Sequence, residues 1–289
     1  MGKPLYKKDT MRKRLLLNFA VIIIVLLWTI PTLGLLISSF RPRADINVSG
    51  WWTALATFYR TNQWTLFNYQ YVLTSDGMGS AYLNSLIVTI PATIIPITIA
   101  AFAAYVLSWM RFKGRKVFFV LIVGLMVVPL QMSLLPLFSL YNSAKLNGTY
   151  LGIWLAHTGF GLPLATYLLY GYISSIPREL IEAAEVDGTT PMTKFLYLII
   201  PLSIPAIASF AIFQFMWVWN DLLVALVFLG TGARVALVTT RLSEMVGSRG
   251  QDWYVLTAGA FVSMVMPLII FFSLQKYFVR GMMAGSVKG

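Results

Sequence analysis

The sequence predicts an all-α integral membrane protein with six transmembrane helices. Of its 289 residues 58% are hydrophobic and only 11% are charged, with a mean hydropathy of +0.76, whereas soluble domains carry about 25% charged residues. The apolar residues form long runs, several of which reach the roughly 20 residues needed to cross a bilayer. Because these runs lack the alternation of barrel strands, and because helices pair their own backbone groups in lipid, the spans are predicted to be helical.

Six apolar runs define the domain organisation. We predict a cytoplasmic N-terminus with an anchor helix over residues 1–40, an external segment over 41–80, a five-helix core over 81–276 and a cytoplasmic tail over 277–289. The first run is too long for a signal peptide and lacks a small-residue cleavage pattern after it, so it is predicted to be retained. The predicted spans are Leu15–Ser38, Tyr82–Met110, Val117–Tyr141, Tyr150–Tyr172, Pro205–Leu229 and Leu256–Lys276.

The basic residues predict the orientation of these spans. With the N-terminus inside, 15 of the 22 lysines and arginines fall in cytoplasmic segments and 7 in external ones. This excess follows the positive-inside rule and places both termini in the cytoplasm. The formal net charge of +12 is therefore explained by topology and requires no nucleic acid partner.

The composition also excludes several chemistries. The chain has no cysteine and one histidine, His157, which excludes disulfides and thiolate ligands and argues against a histidine-based metal site or catalytic triad. No G-x-x-x-x-G-K-[ST] stretch is present, so the chain cannot cradle nucleotide phosphates by that motif. We predict a protein that is not an enzyme and that binds no metal or cofactor. An ion-coupled carrier and a membrane-embedded enzyme are the competing classes; both need more ionisable groups in the spans than this chain has.

The cytoplasmic loop over residues 173–204 is unusually acidic for this chain. It holds four of the ten acidic residues, and Gly188 is expected to end a helix that Ser174 or Ser175 caps. A second helix is predicted to begin near Thr189 or Thr190, with Pro191 at its first position. The loop is either a solvated connection or a docking element for another protein. Its acidic residues are Glu179, Glu182, Glu185 and Asp187.

Within this loop, Glu182-Ala183-Ala184 is followed after three residues by Gly188 and later by Ile199-Ile200-Pro201. This spacing resembles the EAA signature of the membrane subunits of binding-protein-dependent ABC importers, with Ile200 in place of the usual leucine. Three other stretches resemble the carbohydrate branch and its maltose-type shorter subunit. They are Thr65-Leu66-Phe67-Asn68-Tyr69, Trp219-Asn220-Asp221 and the tail Gly281–Gly289.

The resemblance implies a permease subunit in a bacterial or archaeal plasma (inner) membrane, working with partners. These are a second, longer permease subunit, two cytoplasmic ATPase subunits that bind ATP and Mg²⁺, and an external sugar-binding protein. The sugar is expected to be an α-linked di- or oligosaccharide. The coupling helix should lie at about Pro177–Thr190, and the residues expected to dock on the ATPase are Arg178, Glu179, Glu182, Ala183, Ala184, Asp187 and Gly188.

Three further contacts follow from the resemblance. The tail is expected to contact the ATPase subunits through Gly281, Gly285 and Lys288. The loop from Gly230 to Tyr254 is expected to extend into the binding protein, and its contact residues are Gly247, Ser248, Arg249 and Gly250.

Two assignments stay open. Trp219, Asn220 and Asp221 either line the sugar path or make a structural hydrogen bond between helices, whereas His157 is expected to be a packing residue. The aromatic residues of segment 41–80 form either an interfacial belt with a short surface helix or a docking surface. Some of the nine prolines in or beside the spans are expected to mark kinks.

Overall fold

A computed structural model describes residues 6–248 and 252–286, with side chains at 11–246 and 252–276. Within these residues the chain is helical and contains no strand. The α-helices, in chain order, are α1 (Tyr6–Ser39), α2 (Arg43–Val48), α3 (Trp51–Ala56), α4 (Phe67–Thr74), α5 (Met78–Trp109), α6 (Arg115–Gly124), α7 (Leu130–Ser143), α8 (Tyr150–Ile173), α9 (Arg178–Val186), α10 (Pro191–Lys194), α11 (Ile200–Trp219), α12 (Leu223–Phe228), α13 (Val238–Ser248) and α14 (Trp253–Ser286).

In the described part of the chain, four helical segments are long and apolar enough to cross a membrane. They are Met11–Ser39, Met78–Trp109, Pro191–Trp219 and Trp253–Lys276, and α6 with α7 makes a fifth if the bent pair is one span. The 24 residues of α8 are about 36 Å long at 1.5 Å per residue. Glycines and tyrosines along α8 lower its hydropathy, so α8 is long enough to cross a bilayer but is not among these apolar segments.

The third predicted span, Val117–Tyr141, is wrong as a single helix. A 3₁₀ turn at Leu125–Val127 follows α6, and α7 begins after Pro129 at an angle of 101° to α6. Val128 is extended, with ψ 116°, because the residue before a proline is excluded from the helical region. Pro129 therefore marks one of the kinks that the sequence predicts.

The fifth predicted span, Pro205–Leu229, is wrong at both ends. One helical segment runs without interruption from Pro191 to Trp219 through a π-helical turn at Phe195–Ile199. It stops at Trp219, and a break at Asn220–Leu222 precedes α12. The last apolar segment ends at Lys276 as predicted, although the helix α14 itself continues to Ser286.

The chain forms two compact units, and the first comprises residues 1–76 and 244–262. Its segment after α1 contains α2, α3, a 3₁₀ turn and α4, which is more helix than the single surface helix predicted. The Arg41 side chain is 3% exposed and donates to the Ser49 carbonyl at 3.0 Å and to the Asp45 carbonyl at 3.1 Å. Asn68 donates to the carbonyls of Ser39 and Arg41. These bonds fold the segment back on the end of α1.

The second unit, residues 77–243 and 263–289, packs α5 against α8 and α11. Prolines inside its helices leave carbonyls four residues earlier without an N–H partner. Three such carbonyls accept a hydrogen bond from a side chain of a neighbouring helix, as expected where water is absent. Trp154 Nε1 donates at 3.0 Å to the Ile87 carbonyl, which Pro91 leaves without a backbone partner. Gln214 Nε2 donates at 3.2 Å to the Ala92 carbonyl, which Pro96 leaves unpaired. Trp219 Nε1 donates at 3.0 Å to the Ser263 carbonyl, which Pro267 leaves unpaired.

Gln214 is fully buried, and a glycine makes room for it. A Cβ atom on Gly161 of α8 would lie 2.7 Å from the Gln214 Nε2 atom and 2.8 Å from its Oε1 atom. The amide of Gln214 can therefore reach the Ala92 carbonyl only because residue 161 has no side chain.

We expect Gly161→Ala to lower the melting temperature of the purified protein, because the added methyl group displaces the Gln214 amide and leaves two buried polar groups unpaired, at about 1–3 kcal/mol each. Gly159→Ala is the matched control, since it lies on the same helix and a Cβ there meets no atom within 4 Å. Both changes gain the same helix propensity, about 1 kcal/mol. Equal melting temperatures for the two variants would contradict the role given to Gly161.

Candidate functional site

The start of α9 differs from the sequence prediction. Ser174 and Ser175 donate their hydroxyl protons backward to the carbonyls of Gly171 and Tyr172. They therefore complete the last turn of α8, and the prediction that one of them caps α9 is wrong. The N-cap is Pro177, which makes no side-chain cap and has φ −55° and ψ 134°.

Helix α9 ends just before Gly188, as the sequence predicts, and its end forms a Schellman motif. Gly188 has φ +71°, a left-handed conformation that favours glycine. Its N–H donates to the Glu185 carbonyl at 3.0 Å, and the Thr189 N–H donates to the Ala184 carbonyl at 3.1 Å, the two bonds of this motif. Helix α10 then begins at Pro191, with the Thr190 hydroxyl accepting from the Thr193 N–H at 3.2 Å, which confirms the predicted second helix.

One side of α9 packs against other helices of the second unit. Ile181 is 5% exposed and belongs to an apolar cluster whose members come from α5, the end of α8, the residues after α10 and α11. Two hydrogen bonds reinforce this contact. The Tyr105 hydroxyl donates to the Pro191 carbonyl and Trp109 Nε1 donates to the Ile173 carbonyl, both at 3.1 Å. The loop over residues 173–204 is therefore held by α5 at its first residue and at the start of α10.

An ion pair joins α9 to the long helix that follows it. Lys194 is 9% exposed and its Nζ atom lies 2.7 Å from Glu185 Oε1. The hydrogen bond and the charge of Lys194 hold the pKa of Glu185 below its ordinary value. A lysine this buried needs such a partner, because an unpaired charge at low dielectric is costly. The sequence interpretation used Lys194 only in the count of cytoplasmic charges and gave it no role in the loop, although it is the only basic residue between Arg178 and Arg234.

The opposite side of α9 is exposed, and we call it the α9 surface. The side chains of Arg178 and Glu182 are 69% and 55% exposed and form an ion pair within the helix at 2.7 Å. Leu180 and Val186 expose 42% and 88% of their surface, an unusual position for apolar side chains next to charges. The α9 surface contains every residue predicted to dock: Arg178, Glu179, Glu182, Ala183, half-buried Ala184, Asp187 and Gly188.

The predicted sugar-path residues lie at the helix break. Trp219 is 3% exposed, whereas Asn220 is exposed and donates to the Met216 carbonyl at 2.7 Å. Asp221 Oδ2 accepts from the Ala225 N–H at 3.1 Å, and the Asp221 carbonyl accepts from the Thr239 hydroxyl at 2.7 Å. Asp221 therefore begins α12 in the manner of a cap, and only Asn220 offers an open polar side chain.

His157 is buried beside this break, with 4% of its surface exposed. Its Nε2 atom lies 4.0 Å from Asp221 Oδ2, which is beyond hydrogen-bonding distance. The burial agrees with the packing role expected for it. Among the residues that the structure describes, no group of three or more His, Cys, Asp or Glu side chains could hold a metal ion.

The loop from Gly230 to Tyr254 contains the helix α13 over Val238–Ser248. Asn84 of α5 anchors its start by donating to the carbonyls of Arg234 and Ala236, and the Ser85 hydroxyl accepts from the Val238 N–H. Of the predicted contact residues, Gly247 and Ser248 end α13, Gly281 and Gly285 lie in α14, and Arg249, Gly250 and Lys288 lie outside the described residues.

We expect Gly188→Val to destabilise the end of α9, because a β-branched residue at φ +71° stores strain of about 1–3 kcal/mol. Gly188→Asn is the control, since asparagine tolerates this conformation and a Cβ at Gly188 meets nothing within 4 Å. Limited proteolysis of the membrane-embedded protein should cut the loop of the valine variant faster than that of the asparagine variant. Equal rates would show that the turn does not need a left-handed residue.

The chain is similar to known membrane transport proteins along most of its length. Residues 96–284 match the family model described as the binding-protein-dependent transport system inner membrane component. The osmoprotective compounds uptake permease protein GgtD of Synechocystis is 57% identical over 282 residues, covering 98% of this chain and 95% of that protein. The alpha-glucoside transport system permease protein AglG of Rhizobium meliloti is 44% identical and covers 94% of this chain and 96% of that protein.

A more distant relative and a solved structure extend the comparison. The trehalose transport system permease protein SugB of Mycobacterium tuberculosis is 32% identical, covering 78% of this chain and 82% of that protein. A chain from the crystal structure of a bacterial ABC transporter that imports the acidic polysaccharide alginate has the same fold, with a TM-score of 0.73 at 22% identity over 96% of this chain and 100% of that chain.

Proposed function

The chain belongs to the family of inner membrane components of binding-protein-dependent transport systems, and we propose that it is the shorter of two permease subunits of an ATP-driven importer for an α-linked di- or oligosaccharide. It is a permease component of an ABC sugar importer, not an enzyme. The observation that carries the proposal is the α9 surface, where Glu182 and Ala183 are exposed and Ala184 is half-buried, on a helix that Ile181 fixes to the spans. A connecting loop that served only solubility would not need this rigid base.

We assign six spans to this subunit, with both termini in the cytoplasm of a bacterium or archaeon. The excess of lysine and arginine in the inner segments supports this orientation. The count of six treats α6 with α7 as one bent span and includes α8. Under this topology the α9 surface faces the cytoplasm, and α2, α3, α4 and α13 lie on the external side.

The proposed partners are a longer permease subunit, two ATPase subunits and an external binding protein. The ATPase subunits bind ATP and Mg²⁺ and dock on the α9 surface. Ala183 has little bulk, so a groove of the partner can approach the helix backbone closely. Glu182, now paired with Arg178, then accepts a charge-assisted hydrogen bond from a basic group of the ATPase.

Force applied to the α9 surface passes through short, rigid contacts. The Lys194–Glu185 ion pair and the burial of Ile181 connect α9 to the helix Pro191–Trp219. That helix has 29 residues, about 44 Å at 1.5 Å per residue, and ends at the break beside Asn220. A movement of α9 therefore displaces the break, where the exposed amide of Asn220 faces the proposed sugar path.

The proposed contacts with the other partners rest on the family resemblance. The loop assigned to the binding protein contains Gly247, Ser248, Arg249 and Gly250. Earlier in the same loop, Asn84 of α5 binds the carbonyls of Arg234 and Ala236. Gly281, Gly285 and Lys288 belong to the end assigned to the ATPase subunits, where small residues allow close approach.

The substrate class is inferred from relatives. Proteins named for the uptake of alpha-glucosides, trehalose and osmoprotective compounds align with most of this chain. A neutral glucoside such as maltose or trehalose suits the proposed path, because the exposed polar side chain at the helix break is the uncharged amide of Asn220. The alternative, an ion-coupled carrier, has to work with the single carboxylate of Asp221, which already caps α12.

We expect the assembled transporter, reconstituted in proteoliposomes with its binding protein, to import labelled maltose or trehalose only when ATP is supplied to the ATPase side. Ionophores for protons and sodium should leave this uptake unchanged. Glu182→Lys should reduce uptake by at least about tenfold, since losing a hydrogen bond to a charged group costs roughly 1.5–3 kcal/mol.

The control restores the ion pair inside α9 with the charges exchanged, in the double variant Arg178→Glu with Glu182→Arg. If Glu182 serves the ATPase, this variant stays inactive although the helix keeps its ion pair. Recovery of uptake in the exchanged variant would reduce Glu182 to a helix-stabilising residue. Ionophore-sensitive uptake without ATP would instead support the ion-coupled carrier.

A further inference from the structure

Trp219 is buried among other helices, although its neighbours Asn220 and Asp221 in the sequence suggest a polar site. Trp219 is 3% exposed, and its ring contacts two aromatic rings: Tyr82, edge-on with centroids 5.2 Å apart, and Phe215, stacked at 5.7 Å with an interplanar angle of 13°. Its indole N–H donates to the Ser263 carbonyl at 3.0 Å. The ring and the polar atom of Trp219 are therefore buried and engaged within the chain.

The acceptor of this bond exists because of a proline. In a regular helix the Ser263 carbonyl would accept from the N–H of residue 267, but Pro267 has no N–H. Trp219 supplies the missing donor from another helix. Because Trp219 is the last residue of the segment Pro191–Trp219, this bond ties the end of that segment to α14.

We propose that Trp219 is a positioning residue of the transport cycle, which fastens the helix driven by the α9 surface to α14 and does not offer its ring to the sugar. The inference rests on the proposed function, because it requires that α9 is the element the ATPase moves. Through this bond a displacement of Pro191–Trp219 also displaces α14 at its proline. The break at Asn220–Leu222 is then deformed between two helices that move together.

The test uses the assembled transporter in proteoliposomes and three variants: Trp219→Phe, Pro267→Ala and the two combined. Phenylalanine keeps an aromatic ring but removes the donor. Alanine at position 267 gives the Ser263 carbonyl a backbone partner again. Three quantities are measured for each variant: the melting temperature, the KM for the sugar, and the number of ATP molecules hydrolysed per sugar imported.

We expect Trp219→Phe to lower the melting temperature and to raise the ATP consumed per sugar by about 3- to 18-fold, the factor that corresponds to the free energies of hydrogen bonds between membrane helices, with an unchanged KM. Adding Pro267→Ala should cancel most of the loss in melting temperature caused by Trp219→Phe, because no carbonyl is left unpaired. The ATP cost should stay high in the double variant, because the link between the helices is still missing. Pro267→Ala alone gives the baseline for the altered kink.

Trp154→Phe is the matched control. Trp154 makes the same kind of bond, to the Ile87 carbonyl that Pro91 frees, but it lies outside the segment Pro191–Trp219. It should lower the melting temperature without raising the ATP cost.

Three outcomes would overturn the inference. An ATP cost that recovers together with the melting temperature in the double variant would make the bond purely structural. A raised KM in Trp219→Phe would return Trp219 to the sugar path. An equal rise in ATP cost for Trp154→Phe would make the effect unspecific. If ATP-driven uptake is absent in the unmodified transporter, or insensitive to Glu182→Lys, the proposed function fails and not this assignment alone.

Discussion

The architecture of the second unit depends on pairing the backbone carbonyls that prolines leave open inside apolar helices. Where no water is available, an unpaired carbonyl costs several kcal/mol, so each proline creates a demand for a donor from elsewhere. The chain meets this demand at three places with Trp154, Gln214 and Trp219. Each solution fixes one helix against another at a defined height, which apolar packing alone specifies poorly.

The same constraint explains why small residues sit where they do. Gly161 leaves room for the buried amide of Gln214, and Ala100, Ala101 and Ala104 of α5 are buried in a cluster with residues of α8 and α11. The bend after α6 is a different case, because Pro129 lies between two helices and changes the direction of the chain there. Pro91, Pro96 and Pro267 inside helices are each associated with a hydrogen bond between helices, whereas Pro129 between helices is associated with a bend.

On the cytoplasmic loop, rigidity and exposure are combined in one short helix. Nine residues are too few to be stable as an isolated helix, so α9 depends on Ile181, the Schellman turn at Gly188 and the Lys194–Glu185 ion pair. These contacts leave its outer side free for a partner while they prevent the helix from yielding under load. The element can therefore transmit a displacement, which a flexible loop with the same charges could not.

Much of this could be predicted from the sequence, and the failures have physical causes. The apolar runs identified the four long apolar helical segments and the bent pair α6 and α7, because hydropathy is a local property. Gly188 identified the end of α9 and Pro191 the start of α10, because backbone restrictions are local too. The break after Trp219 was missed because Asn220 and Asp221 lie within a long apolar run, which reads as one span. The roles of Lys194 and Trp219 could not be predicted, since their partners are 9 and 44 residues away in the chain.

The central claim is that the α9 surface is where the ATPase subunits dock. The chain has no native cysteine, so Ala183→Cys introduces a single thiol at an exposed position of α9. The most direct measurement is cross-linking of this thiol, with a short bismaleimide, to single cysteines placed around the cleft of the ATPase in the assembled transporter. The account predicts a cross-link whose yield changes with the nucleotide state and that Gly188→Val reduces. No cross-link to the ATPase in any nucleotide state would contradict it.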